Sequence, residues 1–492
     1  MRDSLFHLER VENVSVQSQI RELLVSAILN GQLRSGEPLP SSRKMAKMLG
    51  CSRNTVVLTY QSLVDDGYLT ARERSGFFIN PEILEGRAQR TPERLQESGS
   101  EPEWPGRFRV RPSVQENIEK PLDWLAYPYP FIYGQVDQNL FPIAAWRDCL
   151  RRALGRRGMD AWISDTRGSD DPLLVEQVRS RLLPRRGIMA ADDEILITLG
   201  AQNALYILAS LLVSPRSTVA IEDPGYPDLR NILHLRTDQV IPIRVDQHGL
   251  VIDKRLNVCD AVYVTPSHQF PTTVTMPMER RMALLRRAAE RDILVIEDDY
   301  EAETNYVSDP TPALKSLDRK QRVVYVGSLS KTLFPGLRLG YLVAAPELIA
   351  EARALRRLML RHAPNNNQRT TALFLAEGHH DTLVHRLQRT YRARWEVMGE
   401  ALAKHLPDSS QMPTFGGTAF WVRAPEGVDA ERLAEAARAE GVLIEPGRVC
   451  FFSQDAPRNY FRLGFSSIPE ERIEPGIERL AGVIRKLQKN AA

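Results

Sequence analysis

Four short apolar runs in the C-terminal two-thirds of the chain constrain its fold more than any other feature. Thr218–Ile221 stops at Glu222-Asp223-Pro224-Gly225-Tyr226, and Ala261–Val264 stops at Thr265-Pro266-Ser267-His268. Ile293–Ile296 stops at Glu297-Asp298-Asp299-Tyr300, and Val323–Val326 at Gly327-Ser328-Leu329-Ser330-Lys331, with Arg338 following. Helical stretches separate them. Apolar runs of this length predict strands buried on both faces, as in a largely parallel sheet covered by helices. Ligands of such sheets sit at the carboxyl ends of the strands. Those ends would gather an aromatic ring, carboxylates, phenols, hydroxyls, a lysine and an arginine.

At 492 residues the chain is too long for one ordinary domain. Its net charge of +3 is close to neutral, so a nucleic-acid surface has to be local. Cys51, Cys149, Cys259 and Cys450 are scattered, which predicts neither a disulfide framework nor a metal site. An acid follows early after Met1, and no apolar run approaches the ~18–20 residues of a membrane span. The expected compartment is the cytoplasm.

Residues 14–80 read as one compact unit. Ile20, Leu23, Leu24, Ala27 and Ile28 repeat as the apolar face of a helix. Pro40-Ser41-Ser42 opens a second helix that stops at Gly50, and Ser52 caps a third with Val56, Tyr60, Leu63 and Val64 inward. Tyr68–Ala71 and Phe77–Ile79, joined through Arg72-Glu73-Arg74-Ser75-Gly76, predict a hairpin. Three helices and a two-stranded wing give the order of a winged helix-turn-helix. Ser52, Arg53, Asn54 and Thr55 start the third helix, where arginine and asparagine can read guanine and adenine and hydroxyls reach phosphates. Arg43 opens the second helix, and Arg72 and Arg74 lie at the wing tip.

From 81 to 123, prolines interleave with Glu, Arg, Gln, Ser and Gly, which predicts a flexible linker. From 124 to 490 the composition is globular, with a smaller C-terminal α+β part from about 380.

The strand-end residues suit one cofactor, pyridoxal 5'-phosphate. A lysine that condenses with an aldehyde must lose its proton and be held against a fixed ring; Lys331 would carry the Schiff base. Ser328, Ser330 and Arg338 offer hydroxyl donors and a permanent cation to a phosphate dianion. Gly200-Ala201-Gln202-Asn203 follows the run Ile195–Thr198 and opens a helix, so Ala201 and Gln202 present N–H groups to the same anion. Asp298 would pair with the pyridine nitrogen, Tyr300 with the phenolic oxygen, and Tyr226 would cover the ring face. Each residue alone has a plainer reading, as a surface lysine, a solvated acid or a turn aromatic. Their ordered occurrence carries the argument.

The string Gly36-Glu37-Pro38-Leu39-Pro40-Ser41-Ser42-Arg43, with Ser52-Arg53-Asn54-Thr55-Val56, Asp66-Gly67-Tyr68-Leu69 and Ser75-Gly76, closely resembles the GntR winged-helix family. That resemblance implies DNA contacts by Arg43, Arg53, Thr55 and the wing around Gly76. Leu199–Leu205, Glu222–Tyr226, Glu297–Tyr300 and Ser328–Lys331, the last continuing through Pro335–Gly340, resemble the fold-type-I aminotransferases. This implies that Arg462, in Tyr460-Phe461-Arg462-Leu463-Gly464-Phe465, clamps an effector carboxylate. The joined architecture resembles the MocR-type transcription regulators, and Ser267-His268-Gln269-Phe270-Pro271 is particularly similar. It stands in place of the aminotransferase turn whose asparagine bonds the cofactor, so His268 and Gln269 become cofactor-edge candidates, with the choice between them open. Thr273 stands where that turn often has glycine, which predicts an altered loop backbone. Asp228, two residues after Tyr226, hints at an effector with an extra amine.

The expected fold is therefore multidomain: an α-dominated winged helix-turn-helix before an α/β fold-type-I domain. The resemblance implies a homodimer binding a double-stranded operator, with effectors such as γ-aminobutyrate, taurine or diamino acids, or a role in vitamin B6 supply. A working aminotransferase carrying a DNA-binding domain is the second reading.

Overall fold

The computed structural model describes residues 6–8, 10–33, 36–84, 102–160, 163, 168–307, 311–407, 409–411, 416–453 and 455–491. The chain divides into two units, Met1–Gly106 and Arg107–Ala492.

In the first unit, α1 (Val16–Leu29), α2 (Ser42–Leu49) and α3 (Arg53–Asp65) precede a hairpin of β1 (Leu69–Arg72) and β2 (Gly76–Ile79). Serines set all three helix starts. Ser15, Ser41 and Ser52 each accept a backbone N–H three residues on, satisfying one of the donors a helix start leaves open. Gly50 closes α2 at φ +60°, the left-handed turn that releases the chain into α3. Ile20, Leu24, Ile28, Met45, Val56, Tyr60, Leu63, Leu69 and Ile79 fill one core.

The second unit is built on an eight-stranded sheet: β3 (Ile195–Thr198), β4 (Val219–Asp223), β5 (Val240–Asp246), β6 (Gly249–Leu250), β7 (Ala261–Val264), β8 (Leu294–Asp299), β9 (Val323–Ser328) and β10 (Gly340–Val343). Their order is β3-β10-β9-β8-β7-β4-β5-β6. β5, β4, β7, β8 and β9 run parallel; β10 and β6 are antiparallel to their neighbours. Strands β4 and β8 extend into the polar clusters, so Glu222, Asp223, Asp298 and Asp299 are strand residues. The register sets Asp298 beside Val326, which brings the ends of β8 and β9 to one edge of the sheet.

A smaller antiparallel sheet has the order β11-β12-β14-β13, from β11 (Ser410–Gln411), β12 (Ala419–Arg423), β13 (Glu445–Pro446) and β14 (Tyr460–Gly464). Beside it lie the 27-residue helix His379–His405 and the C-terminal helix Ile473–Ala491. Among the described residues no helix is long and apolar enough to cross a membrane.

The linker expected over 81–123 is shorter at its C-terminal end. Residues 85–101 lie outside the described residues, but from Arg107 the chain belongs to the second unit. Gln115 donates to the Asn231 carbonyl at 3.1 Å, Asn231 donates to the Glu116 carbonyl at 2.9 Å, and Lys120 pairs with Glu445 at 3.5 Å. A proline-rich polar segment lacks a core of its own, yet it orders readily when a folded face supplies partners.

Candidate functional site

A cavity of about 380 Å³ opens at the strand ends of the large sheet. Nine of the eleven residues expected to hold the cofactor line it: Ala201, Gln202, Tyr226, Asp298, Tyr300, Ser328, Ser330, Lys331 and Arg338. Helix α4 (Ala201–Leu212) follows β3 through Gly200, and the side chain of Arg338 lies against that glycine. A Cβ there would sit 3.2 Å from Arg338 Nη2, and Gly200 holds φ +79° with ψ 176°, a conformation reserved for glycine. Arg338 donates to the Leu199 carbonyl at 3.0 Å, which fixes its cation beside the start of α4. Together with Ser328 and Ser330 this end of the cavity is suited to a phosphate.

At the other end, Asp298 accepts from the Tyr263 hydroxyl at 2.8 Å. Burial pushes Asp298 up to about 7, with neighbouring Asp299 adding to the rise and Tyr263 and Lys331 opposing it. Its second oxygen and the buried Tyr300 hydroxyl have no hydrogen-bond partner among the described residues. These two orphaned groups fit a protonated ring nitrogen and a phenolic oxygen. Alternation along β8 sends the next residue elsewhere: Asp299 accepts from Arg186 Nε at 2.7 Å and from Tyr325 at 2.8 Å. Burial opposes its charge, but Arg186 and the surrounding donors hold Asp299 below the usual carboxylate range. Adjacent aspartates thus titrate in opposite directions.

Lys331 keeps part of its surface open to the cavity. Burial pulls its amine down to about 7, with Lys120 and Arg462 adding to the fall and Glu301 and Glu445 resisting it. A lysine poised there has about half of its amine free as a nucleophile at neutral pH.

His268 and Gln269, the candidates for the cofactor's edge, are not among the residues that line the cavity, although adjacent Phe270 is. Gln269 Nε2 donates to Glu222 Oε2 at 3.2 Å and to the Pro224 carbonyl at 2.9 Å, and Gln269 Oε1 accepts from Thr272 Oγ1 at 2.6 Å. Its carboxamide is fully engaged in bracing this turn. Burial holds Glu222 up at about 7, close to neutrality, so it needs that brace rather than a countercharge. His268 is buried with neither ring nitrogen hydrogen-bonded among the described residues, and it faces the Gly416–Gly417 turn, where a Cβ on Gly416 would lie 3.0 Å from its Nε2. Thr273 adopts the left-handed backbone that favours glycine, at φ +62°.

Arg462 is buried, and none of its guanidinium nitrogens has a hydrogen-bond partner among the described residues. Its Cζ lies 3.4 Å from the centroid of the Tyr133 ring and 4.4 Å from that of Phe270. Asp228 lines the cavity and accepts from the Tyr226 hydroxyl at 3.0 Å and from Gln202 at 3.3 Å.

Sequence reasoning missed Ile118, Lys120, Tyr133, Gly134 and Tyr263, all of which line the cavity. The aromatic run Tyr127-Pro128-Tyr129-Pro130-Phe131-Ile132-Tyr133 was a usable signal, as was a tyrosine inside the apolar run Ala261–Val264. Nothing local marks Lys120.

On the first unit, Arg43, Ser52, Arg53, Asn54, Arg72, Arg74 and Gly76 are exposed, and Thr55 is half-buried through its bond to Ser52. Arg74 turns the wing at φ +60°, while Arg72 stacks over Phe78 at 4.4 Å.

Residues 16–79 match the family described as bacterial regulatory proteins, gntR family, and residues 144–480 match aminotransferase class I and II. The HTH-type transcriptional regulator TauR of Rhodobacter capsulatus is 45% identical, over 96% of this chain and 97% of its own. The probable rhizopine catabolism regulatory protein MocR of Rhizobium meliloti is 30% identical, over 99% and 97%. Among solved structures, a kynurenine aminotransferase of Pyrococcus horikoshii is similar, with a TM-score of 0.71 and 28% identity over 77% of this chain and 98% of its own. With a GntR winged helix ahead of an aminotransferase fold, and relatives of the same architecture along nearly its whole length, this chain belongs to the MocR-type transcription regulators.

Proposed function

We propose that the chain binds pyridoxal phosphate on Lys331 and that an amino compound entering the same cavity changes its affinity for operator DNA. The observation that carries this reading is one cavity lined by Lys331, Asp298 and Arg338 together. Bound there, the cofactor would supply an aldehyde that condenses with amines and a ring that accepts electron density. Arg338, Ser328, Ser330 and the N–H groups opening α4 would hold the phosphate. Asp298, kept near neutrality by burial, would gain its charge once a protonated ring nitrogen lies opposite. Tyr300 would donate to the phenolic oxygen, and Tyr226, oriented by Asp228, would cover the ring.

On the first unit, Arg53, Asn54 and Thr55 would read the major groove, with Ser52 and Arg43 on the backbone and the wing residues Arg72, Arg74 and Gly76 alongside. Two copies of the chain, paired as fold-type-I proteins generally pair, would set two winged helices on two half-sites. Arg462, a buried cation without a hydrogen-bonding partner, would take an effector's acid group.

The experiment is operator binding by the cofactor-loaded protein, titrated with amino compounds and read beside the visible absorbance of the cofactor. A second reading, slow transamination, is favoured by the amine of Lys331 being poised near neutrality. Turnover with amino-acid donors and 2-oxo acids separates the two. Sustained turnover with no change in DNA affinity would overturn the regulatory reading of the cavity.

A further inference from the structure

The strap 115–120 is the wall of the cavity that lies nearest, along the chain, to the DNA-binding unit. Its inner side carries Ile118 and Lys120 into the cavity lining. Its attachment is light: polar contacts of Gln115, Glu116 and Asn117 with Asn231, and a pair between Glu116 and Arg448 at 2.6 Å, with Glu116 well exposed. Exposed ion pairs of that kind contribute little. Lys120 is the exception, because its amine is enclosed.

That amine donates to the Tyr133 carbonyl and lies 3.5 Å from Glu445 Oε1, an oxygen that already accepts the Tyr133 N–H at 3.1 Å. Its ammonium has three donors, and one carbonyl and a shared carboxylate oxygen leave the charge incompletely matched. A Cβ on Gly134 would sit 2.8 Å from Lys331 Nζ and 3.4 Å from Lys120 Nζ, so the two amines share one glycine-sized gap. Burial and Arg462 both disfavour the Lys120 charge, and Glu445 supports it. An anion entering this gap would meet a cation held by only half a counterion.

We infer that Lys120 is a binding residue for the acid group of the effector, and that occupancy of the cavity is thereby passed to the strap leading to the DNA-binding unit. This rests on the reading that amino compounds enter the cavity. The chemical class is a short amine bearing a carboxylate or sulfonate. A lysine suits both, being a compact charge with rotating donors rather than a planar fork.

The test uses the full-length protein loaded with pyridoxal phosphate. γ-Aminobutyrate and taurine are compared with their acid-free counterparts, butylamine and ethylamine. Amine binding is read from the cofactor's visible spectrum, strap protection from hydrogen exchange of residues 115–120, and operator affinity from DNA upstream of the gene. In the wild type the acid-bearing amines should bind at least tenfold more tightly than the acid-free ones and should protect the strap. Lys120→Gln should lose most of that preference while keeping its cofactor spectrum and its affinity for the acid-free amines, and Lys120→Arg should retain part of it. Unchanged preference in Lys120→Gln, no preference in the wild type, or loss of the cofactor from Lys120→Gln would each overturn the inference. If the spectrum discriminates through Lys120 while operator affinity stays constant, the binding role stands and the regulatory reading fails.

Discussion

The amine of Lys331 lies 3.7 Å from the centroid of the Tyr133 ring. The same ring lies against the Arg462 guanidinium and, at 5.5 Å, the Lys120 amine, so one aromatic side chain serves three cations. An aromatic face favours the charged form of an amine, so the ring opposes the fall in the Lys331 pKa, and it is burial with the neighbouring cations that wins.

If Lys331 carries the cofactor, the purified protein should be yellow, and borohydride should fix the label to the peptide containing Lys331. Lys331→Ala should abolish both. Peptide mass after trapping checks this, and a label on another lysine refutes the assignment.

The rate of cofactor capture should follow the neutral fraction of Lys331. Its pKa is lowered, to about 7 instead of the usual 10.5, so the amine is protonated below that value and free above it. Capture should accelerate as pH rises from 6 to 8 and then level off. Absorbance after mixing with pyridoxal phosphate measures it, and a rise that begins only above pH 9 would exclude the shift.

Gly200→Ala should loosen the cofactor. The Gly200 backbone costs other residues about 1–3 kcal/mol, and the new methyl would press on Arg338 Nη2 at 3.2 Å. Retention of cofactor through dialysis is the measurement.

Arg53→Ala should weaken operator binding by about 1–3 kcal/mol if it reads a guanine. Arg53 belongs to the first unit and the cavity to the second, so the cofactor spectrum should not change. Binding equal to wild type would rule out α3 as the reader.

Arg462→Met should remove the response to acid-bearing effectors and still unfold at no lower temperature. A buried cation without a hydrogen-bonding partner costs several kcal/mol to desolvate, against about 2 kcal/mol for each ring contact. Methionine would bury apolar surface there instead. Thermal unfolding and effector titration of the same variant check both halves.

The sheet was legible because its strands are apolar runs ended by charge, a pattern that survives without knowledge of the neighbours. Ser328, Lys331 and Arg338 were legible for a related reason: they are close in sequence as well as in space. Tyr133 and Lys120 reach the cavity from a segment some two hundred residues before Lys331, and only tertiary packing brings them there. For Gln269 nothing in the sequence signals that its carboxamide is engaged by Glu222 and Thr272, since those partnerships are set by packing. The hydroxyls of Ser41 and Ser52, by contrast, announced helix starts outright, since capping is decided within four residues.

Asp298 and Asp299 sit side by side on β8 and face different partners, Tyr263 and the cavity for one, Arg186 and Tyr325 for the other. A deletion or insertion of one residue upstream in that strand would turn its side chains over to the opposite face. One of the two places would still receive an aspartate, while the other would receive Tyr300 after a deletion or Glu297 after an insertion. Either Arg186 would lose its carboxylate or the cavity would take a longer acid, so the length of this strand is as constrained as the identity of any side chain on it.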